Sequence, residues 1–111
     1  MGYRLSIENR KFNIDYYGTK LIGYVFDEEK LNCIKFLRRY SLVSKDSQFY
    51  QYCAPFIQLK AKDTVFFLTY YIIDYCNTYN GQINEELIDV LSKITKISKE
   101  FPETLFDIYW C

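Results

Sequence analysis

Polar and apolar residues alternate from the start of the chain. Tyr3, Leu5 and Ile7 interleave with Arg4, Ser6 and Glu8, and Phe12, Ile14 and Tyr16 interleave with Asn13, Asp15 and Tyr17. A period of two belongs to strands with one buried face. The polar run Asn9-Arg10-Lys11 reads as the turn between them, so the two runs form a hairpin. Gly18-Thr19 breaks the alternation, as a second turn or a bulge does. Lys20 to Phe26 then reads as another strand, or as the second one continued beyond the bulge.

The period changes after Phe26. Asp27 suits a helix N-cap, and Glu28 and Glu29 complement the dipole of a first turn. Leu31, Ile34, Leu37 and either Phe36 or Tyr40 make an apolar stripe, with Arg38 and Arg39 in the last turn, where cations are favoured. Residues 41–54 mix Ser, Lys, Asp and Gln with aromatics and read as a loop. Phe56 to Lys60 reads as a short strand after Pro55. The run that follows the cap-like Asp63-Thr64 is rich in β-branched and aromatic residues, which favour a strand, but its length and its cap favour a helix. Thr69, Asp74 and Asn77 do not gather on one face of that helix, so burial on most sides is expected. Asn80-Gly81 ends it. Asn84 caps a last helix whose residues Leu87, Leu91, Ile94, Ile97 or Ser98, and Phe101 keep helical spacing, with an Asp89–Lys93 pair on its surface. Pro102 stops it, and Leu105 to Trp110 closes the chain as a strand with Phe106, Ile108 and Trp110 on one face.

This order predicts an α+β fold: a mostly antiparallel sheet, made of the N-terminal hairpin plus a middle and a C-terminal strand, packed against about three helices as a single layer pair. The helix after Asp63 should be its centre. A chain of 111 residues fits one domain, 1–111, and can bury a core without disulfides or metal.

Composition narrows the function. The 14 Lys and Arg balance 14 Asp and Glu. Phosphate binding favours a basic excess and nucleic-acid mimicry an acidic one, so the balance speaks against both. Histidine is absent. That excludes a Ser-His-Asp triad, a Cys-His dyad, a His general base and His-ligated metal. Cys33, Cys53, Cys76 and Cys111 form no CxxC and match no common zinc spacing, so reduced thiols and a cytoplasmic chain without metal or cofactor are expected. No phosphate-loop, dinucleotide or nucleophile-elbow motif occurs. The longest apolar run, near 64–76, is too short and interrupted to span a membrane.

Three carboxylates lie inside otherwise apolar or strand-like segments: Asp15, Asp74 and Asp107. Asp74 stands out, because a buried charge needs a partner; Arg4, Arg38 and Lys60 are candidates. Gly23-Tyr24-Val25 fits the centre of the RNA-recognition signature, but Leu21, Ile22 and Asp27 depart from it where glycine and aromatics are required.

The 12 tyrosines are more than a core of this size can satisfy, and tyrosine suits contact surfaces because it combines a large apolar area with a polar tip. The candidate interaction surface is Tyr16, Tyr17, Tyr24, Arg38, Arg39, Tyr109 and Trp110. Homodimerisation through the final strand or the Tyr70–Tyr79 helix would cover further aromatics. Alanine is almost absent while Ile, Lys, Asn, Tyr and Phe abound, the skew of an AT-rich genome. In size, composition, neutral charge and α+β layout the chain resembles small accessory proteins of phages and mobile elements from low-GC bacteria, anti-CRISPR and other anti-defence inhibitors among them. That resemblance implies a non-catalytic inhibitor or adaptor acting on another protein, such as a host defence effector. The alternatives are a protein that binds or sequesters a nucleotide signal, an RNA-binding module, and an enzyme using carboxylates or lysine.

Overall fold

The computed structural model describes residues 2–18, 21–22, 31–43 and 57–110. Its elements run β1 (Gly2–Tyr3), β2 (Leu5–Asn9), β3 (Ile14–Tyr17), β4 (Leu21–Ile22), α1 (Asn32–Arg39), β5 (Ile57–Lys60), α2 (Ala61–Thr78), α3 (Glu85–Glu100) and β6 (Leu105–Trp110). The main sheet has the order β3-β2-β6-β5, every pair antiparallel. It is the α+β arrangement expected, with the hairpin, a middle strand and the C-terminal strand in one sheet. Leu5, Ile7, Ile14, Tyr16, Leu59, Phe106 and Ile108 form its buried face, and α2 lies between α1 and α3 in the helical layer.

The hairpin departs from the expected boundary in one way. Its turn covers Arg10–Asn13, and Phe12 is not in a strand. The Asn9 carboxamide sets this: Oδ1 accepts from the Phe12 N–H at 2.9 Å, while Nδ2 donates to the Leu105 carbonyl of β6 at 2.9 Å. Asn13 takes φ 54°, which asparagine tolerates. Phe12 thus leaves the sheet and packs its ring 5.4 Å from Phe101.

Beyond Gly18, β1 and β4 pair antiparallel as a separate two-stranded sheet. Ser6 pairs with Tyr17 and Tyr3 with Leu21, so β3–β4 spends one residue more than β1–β2 between those pairs. Gly18 donates to the Leu5 carbonyl at 3.0 Å. A Cβ there would lie 2.5–2.9 Å from the Tyr16 ring, which is buried and has nowhere to go. The expected strand beyond Ile22, Gly23 and Tyr24 included, lies outside the described residues.

The helices begin differently from the sequence signals. α1 starts at Asn32 with Leu31 in the N-cap position and no side-chain cap of its own, so Asp27 is not its cap. Its cap comes from another element. Asp74, on the buried face of α2, accepts from the Asn32 N–H and the Asn32 carboxamide through Oδ1, both at 2.8 Å, and from the Cys33 N–H through Oδ2 at 3.0 Å. α2 itself begins at Ala61, directly after β5, rather than beyond Asp63-Thr64. The Thr64 hydroxyl instead donates back to the Lys60 carbonyl at 2.9 Å, one turn earlier. α3 begins as expected, with Asn84 accepting from the Leu87 N–H at 3.2 Å, and carries the Asp89–Lys93 pair at 3.1 Å.

Both α1 and α2 end in Schellman turns. In α1 Leu42 donates to Leu37 O at 2.8 Å and Ser41 to Arg38 O at 3.2 Å. Ser41 takes the left-handed position, φ 55°, which glycine usually fills. In α2 Asn80 takes that role at φ 54°, and Gly81 donates to Cys76 O at 2.7 Å. No helix among the described residues is long and apolar enough to cross a membrane.

Candidate functional site

α2 is not buried on most sides. Ala61, Thr64, Phe67, Leu68, Tyr71 and Asp74 face the core, while Lys62, Phe66, Thr69, Tyr70, Ile73 and Asn77 form an exposed face. Asp74 conceals this in the sequence, since it puts a charged residue on the buried side. Without it, Lys62, Thr69 and Asn77 do fall on one face, at intervals of seven and eight.

Aromatics cluster where that exposed face meets α1. Phe36 and Tyr40 lie one turn apart, with ring centroids 5.2 Å from each other. Phe66 and Tyr70 lie one turn apart on α2, with centroids 6.2 and 5.4 Å from that of Phe36. Phe36 is the buried hub, but Phe66 is 58% exposed and Tyr40 62%. The Schellman turn brings Leu42 back beside them. Together with Asp63 these residues line a depression of about 440 Å³. Lys35 and Arg39 stand exposed on α1, which contains no acidic residue, and Arg38 is half-buried beside them.

The seven expected surface residues do not form one surface. Tyr16 points into the core; burial raises its hydroxyl pKa, and Glu86 and Tyr75 add to the effect. Tyr17 and Tyr109 lie on the opposite, outer face of the sheet, each directly across from Ser6. Arg38 and Arg39 end α1, near the aromatic depression. Trp110 pairs through its backbone with Leu5. Tyr24 lies outside the described residues. Tyr40, Leu42 and Phe66, which line the depression, were not among the expected surface residues. The i,i+4 spacing of Phe66 and Tyr70, taken with the polar face of Lys62, Thr69 and Asn77, was the available signal.

Asp74 is accounted for structurally. Its partner is the N-terminus of α1 rather than Arg4, Arg38 or Lys60. Four N–H groups at a helix start lack partners within the helix, and a carboxylate there satisfies donors and complements the dipole. The neighbouring Cys33 thiol has its pKa pushed well up by burial, and further by the Asp74 carboxylate. No group of three or more potential metal ligands occurs among the described residues.

The other two noted carboxylates flank Glu8. Asp15 and Asp107 are its cross-strand neighbours on β3 and β6. Tyr109 donates to Glu8 Oε1 at 2.7 Å, and Gln58 donates to Asp107 Oδ1 at 2.8 Å. Glu8 and Asp15 also border a depression of about 280 Å³ that Arg10 shares.

No family model, curated protein or solved structure matches the chain.

Proposed function

We propose that the protein is a non-catalytic, cytoplasmic inhibitor or adaptor that binds another protein through the aromatic depression between α1 and α2. The observation that carries this is the half-open cluster of Phe36, Tyr40, Phe66 and Tyr70 with its cationic flank. Aromatic residues and arginine are enriched at protein contacts, and a few anchors seated in such a hollow dominate binding energy. A host defence effector is the target class that belongs with this reading.

Capture from a bacterial lysate followed by crosslinking mass spectrometry tests it. A partner should crosslink through Lys35 and Lys62, beside the depression, and be lost on Phe66→Asp while the melting temperature stays near that of the wild type. If wild type and variant capture the same proteins to the same extent, this surface is not the binding site.

A small-ligand reading draws on the volume of the hollow, since ligand sites span about 300–1,000 Å³. Native mass spectrometry separates the two. Extra mass that is lost on denaturation favours a ligand, whereas a whole multiple of the chain mass favours a second copy as the occupant.

A further inference from the structure

The apolar surface beside the depression continues along α2. Phe66, Tyr70 and Ile73 are 58%, 36% and 43% exposed, and Asn77 follows on the same exposed face. Their spacing of four, three and four residues keeps them in one stripe about 16 Å long. α1 lies beside that stripe in the opposite direction, since Asn32 meets Asp74 while Phe36 meets Phe66 and Tyr70. Between them the two helices leave a groove floored by Phe36, with Tyr40 and Phe66 open to solvent at one end. Cations stand along its α1 rim. Arg39 lies one turn from Phe36 and Lys35 one turn from Arg39, and both are exposed. The ion pairs among the described residues join Lys60 and Lys62 to Glu103 and Lys93 to Asp89, so neither rim cation takes part in one. Asp63, half-buried in the first turn of α2, is the carboxylate that lines the depression, and it also acts on the Lys60 ammonium.

We propose that the occupant of this groove is an amphipathic helix of the partner protein, with bulky apolar residues along one face and carboxylates along the edge that meets α1. This rests on the reading of the depression as a protein-binding site and adds the chemistry of what it binds. A helix laid in a groove offers apolar anchors three and four residues apart, the spacing that the α2 stripe itself presents. Its carboxylates meet Lys35 and Arg39, which have no such partner in the free chain among the described residues. A second copy of the chain suits the groove less well. A two-fold contact uses the same patch on both sides, so it brings the two cationic rims together. Within that patch only the half-buried Asp63 of each copy offsets them.

The probe is a fluorescein-labelled helix-forming peptide of about 20 residues, with leucine and phenylalanine three and four apart and glutamate beside them. Its twin carries lysine for each glutamate, and anisotropy follows both. The wild type should bind the glutamate peptide about tenfold more tightly than the lysine one, and the gap should narrow as salt rises. Lys35→Glu with Arg39→Glu should reverse that order. Lys35→Gln with Arg39→Gln, which leaves the end of α1 less perturbed, should level it. Lys96→Glu with Lys99→Glu, the same charge change on α3, should keep the wild-type order. Equal binding of the two peptides by the wild type, binding of neither, or a reversal in the α3 variant too would overturn the proposal. So would undiminished binding of a glutamate peptide broken by two internal prolines, because the occupant would then be extended. A dimer of the free chain that Phe66→Asp dissolves would assign the groove to a second copy instead. In the lysate capture, a partner lost on Phe66→Asp but kept by Lys35→Glu with Arg39→Glu would leave the depression as the binding site and remove this inference alone.

Discussion

Asp74 shows how one side chain can decide the geometry around it. Its carboxylate is buried on α2 and accepts three hydrogen bonds from the start of α1, 41 and 42 residues earlier in the chain. Without it, the first N–H groups of α1 are left unpaired, because Leu31 supplies no cap. Asp74→Ala should therefore cost about 2–3 kcal/mol, combining a lost cap with lost charge-assisted bonds. Urea denaturation measures this, and a loss under about 0.5 kcal/mol would refute the capping role. The same burial protects Cys33. Its raised thiol pKa and full burial should keep it unalkylated in the folded protein, while the partly exposed Cys76 reacts; mapping of iodoacetamide adducts by mass spectrometry checks the order.

Single elements show what periodicity does and does not reveal. α3 is legible because its cap and its stop agree, Asn84 capping it and Pro102 following, and the expected Leu87 and Ile94 are buried; Val90 joins them, while Leu91 and Ile97 are only partly buried and Phe101 is exposed. α2 is less so. Its apolar residues cover almost the whole circumference, so the sequence suggests burial all round, while the structure leaves Phe66, Tyr70 and Ile73 at the surface. Adjacent residues on this helix should respond very differently to truncation. Phe67→Ala, in the core, should cost about 3–5 kcal/mol. Phe66→Ala should stay within about 0.5–1 kcal/mol in the free protein. Comparing the two denaturation midpoints tests whether the aromatic face is a contact surface or part of the core, and similar large losses would assign Phe66 to the core.

At the scale of the whole molecule, charge among the described residues is grouped: α1 carries cations and no acids, and the outer sheet face carries Asp15, Glu8 and Asp107 in a row, with Arg4 and Arg10 near them. A separate cluster joins distant segments, with Glu103, after α3, bonded to Lys60 at the end of β5 at 2.7 Å and to Lys62 in α2 at 3.2 Å. Hydrogen bonds from Lys60 and Lys62 hold the Glu103 carboxyl below its ordinary pKa. A carboxylate depressed in the folded state adds stability above its unfolded pKa, and that contribution fades as pH falls through the folded value. The three side chains are exposed, so the effect is small. Glu103→Gln should melt slightly below the wild type at neutral pH, and the difference should vanish well below the carboxylate range. A difference that persists there would assign the loss to packing instead of charge.

The sequence by itself determined the order of elements, the antiparallel hairpin, the interruption at Gly18, the cap and stop of α3 and the end of α2. Each of these is a local matter of period, cap or turn chemistry acting within a few residues. Only the tertiary structure decided that Asp74 caps α1, that Tyr16 is buried while Tyr17 is not, and that Phe36 meets Phe66 and Tyr70. It also decided that Asp15, Glu8 and Asp107 stand in register. These depend on which strand lies beside which, and on how one helix is rotated against another. Such choices are made by packing between residues far apart in the chain, where no local pattern carries a signal.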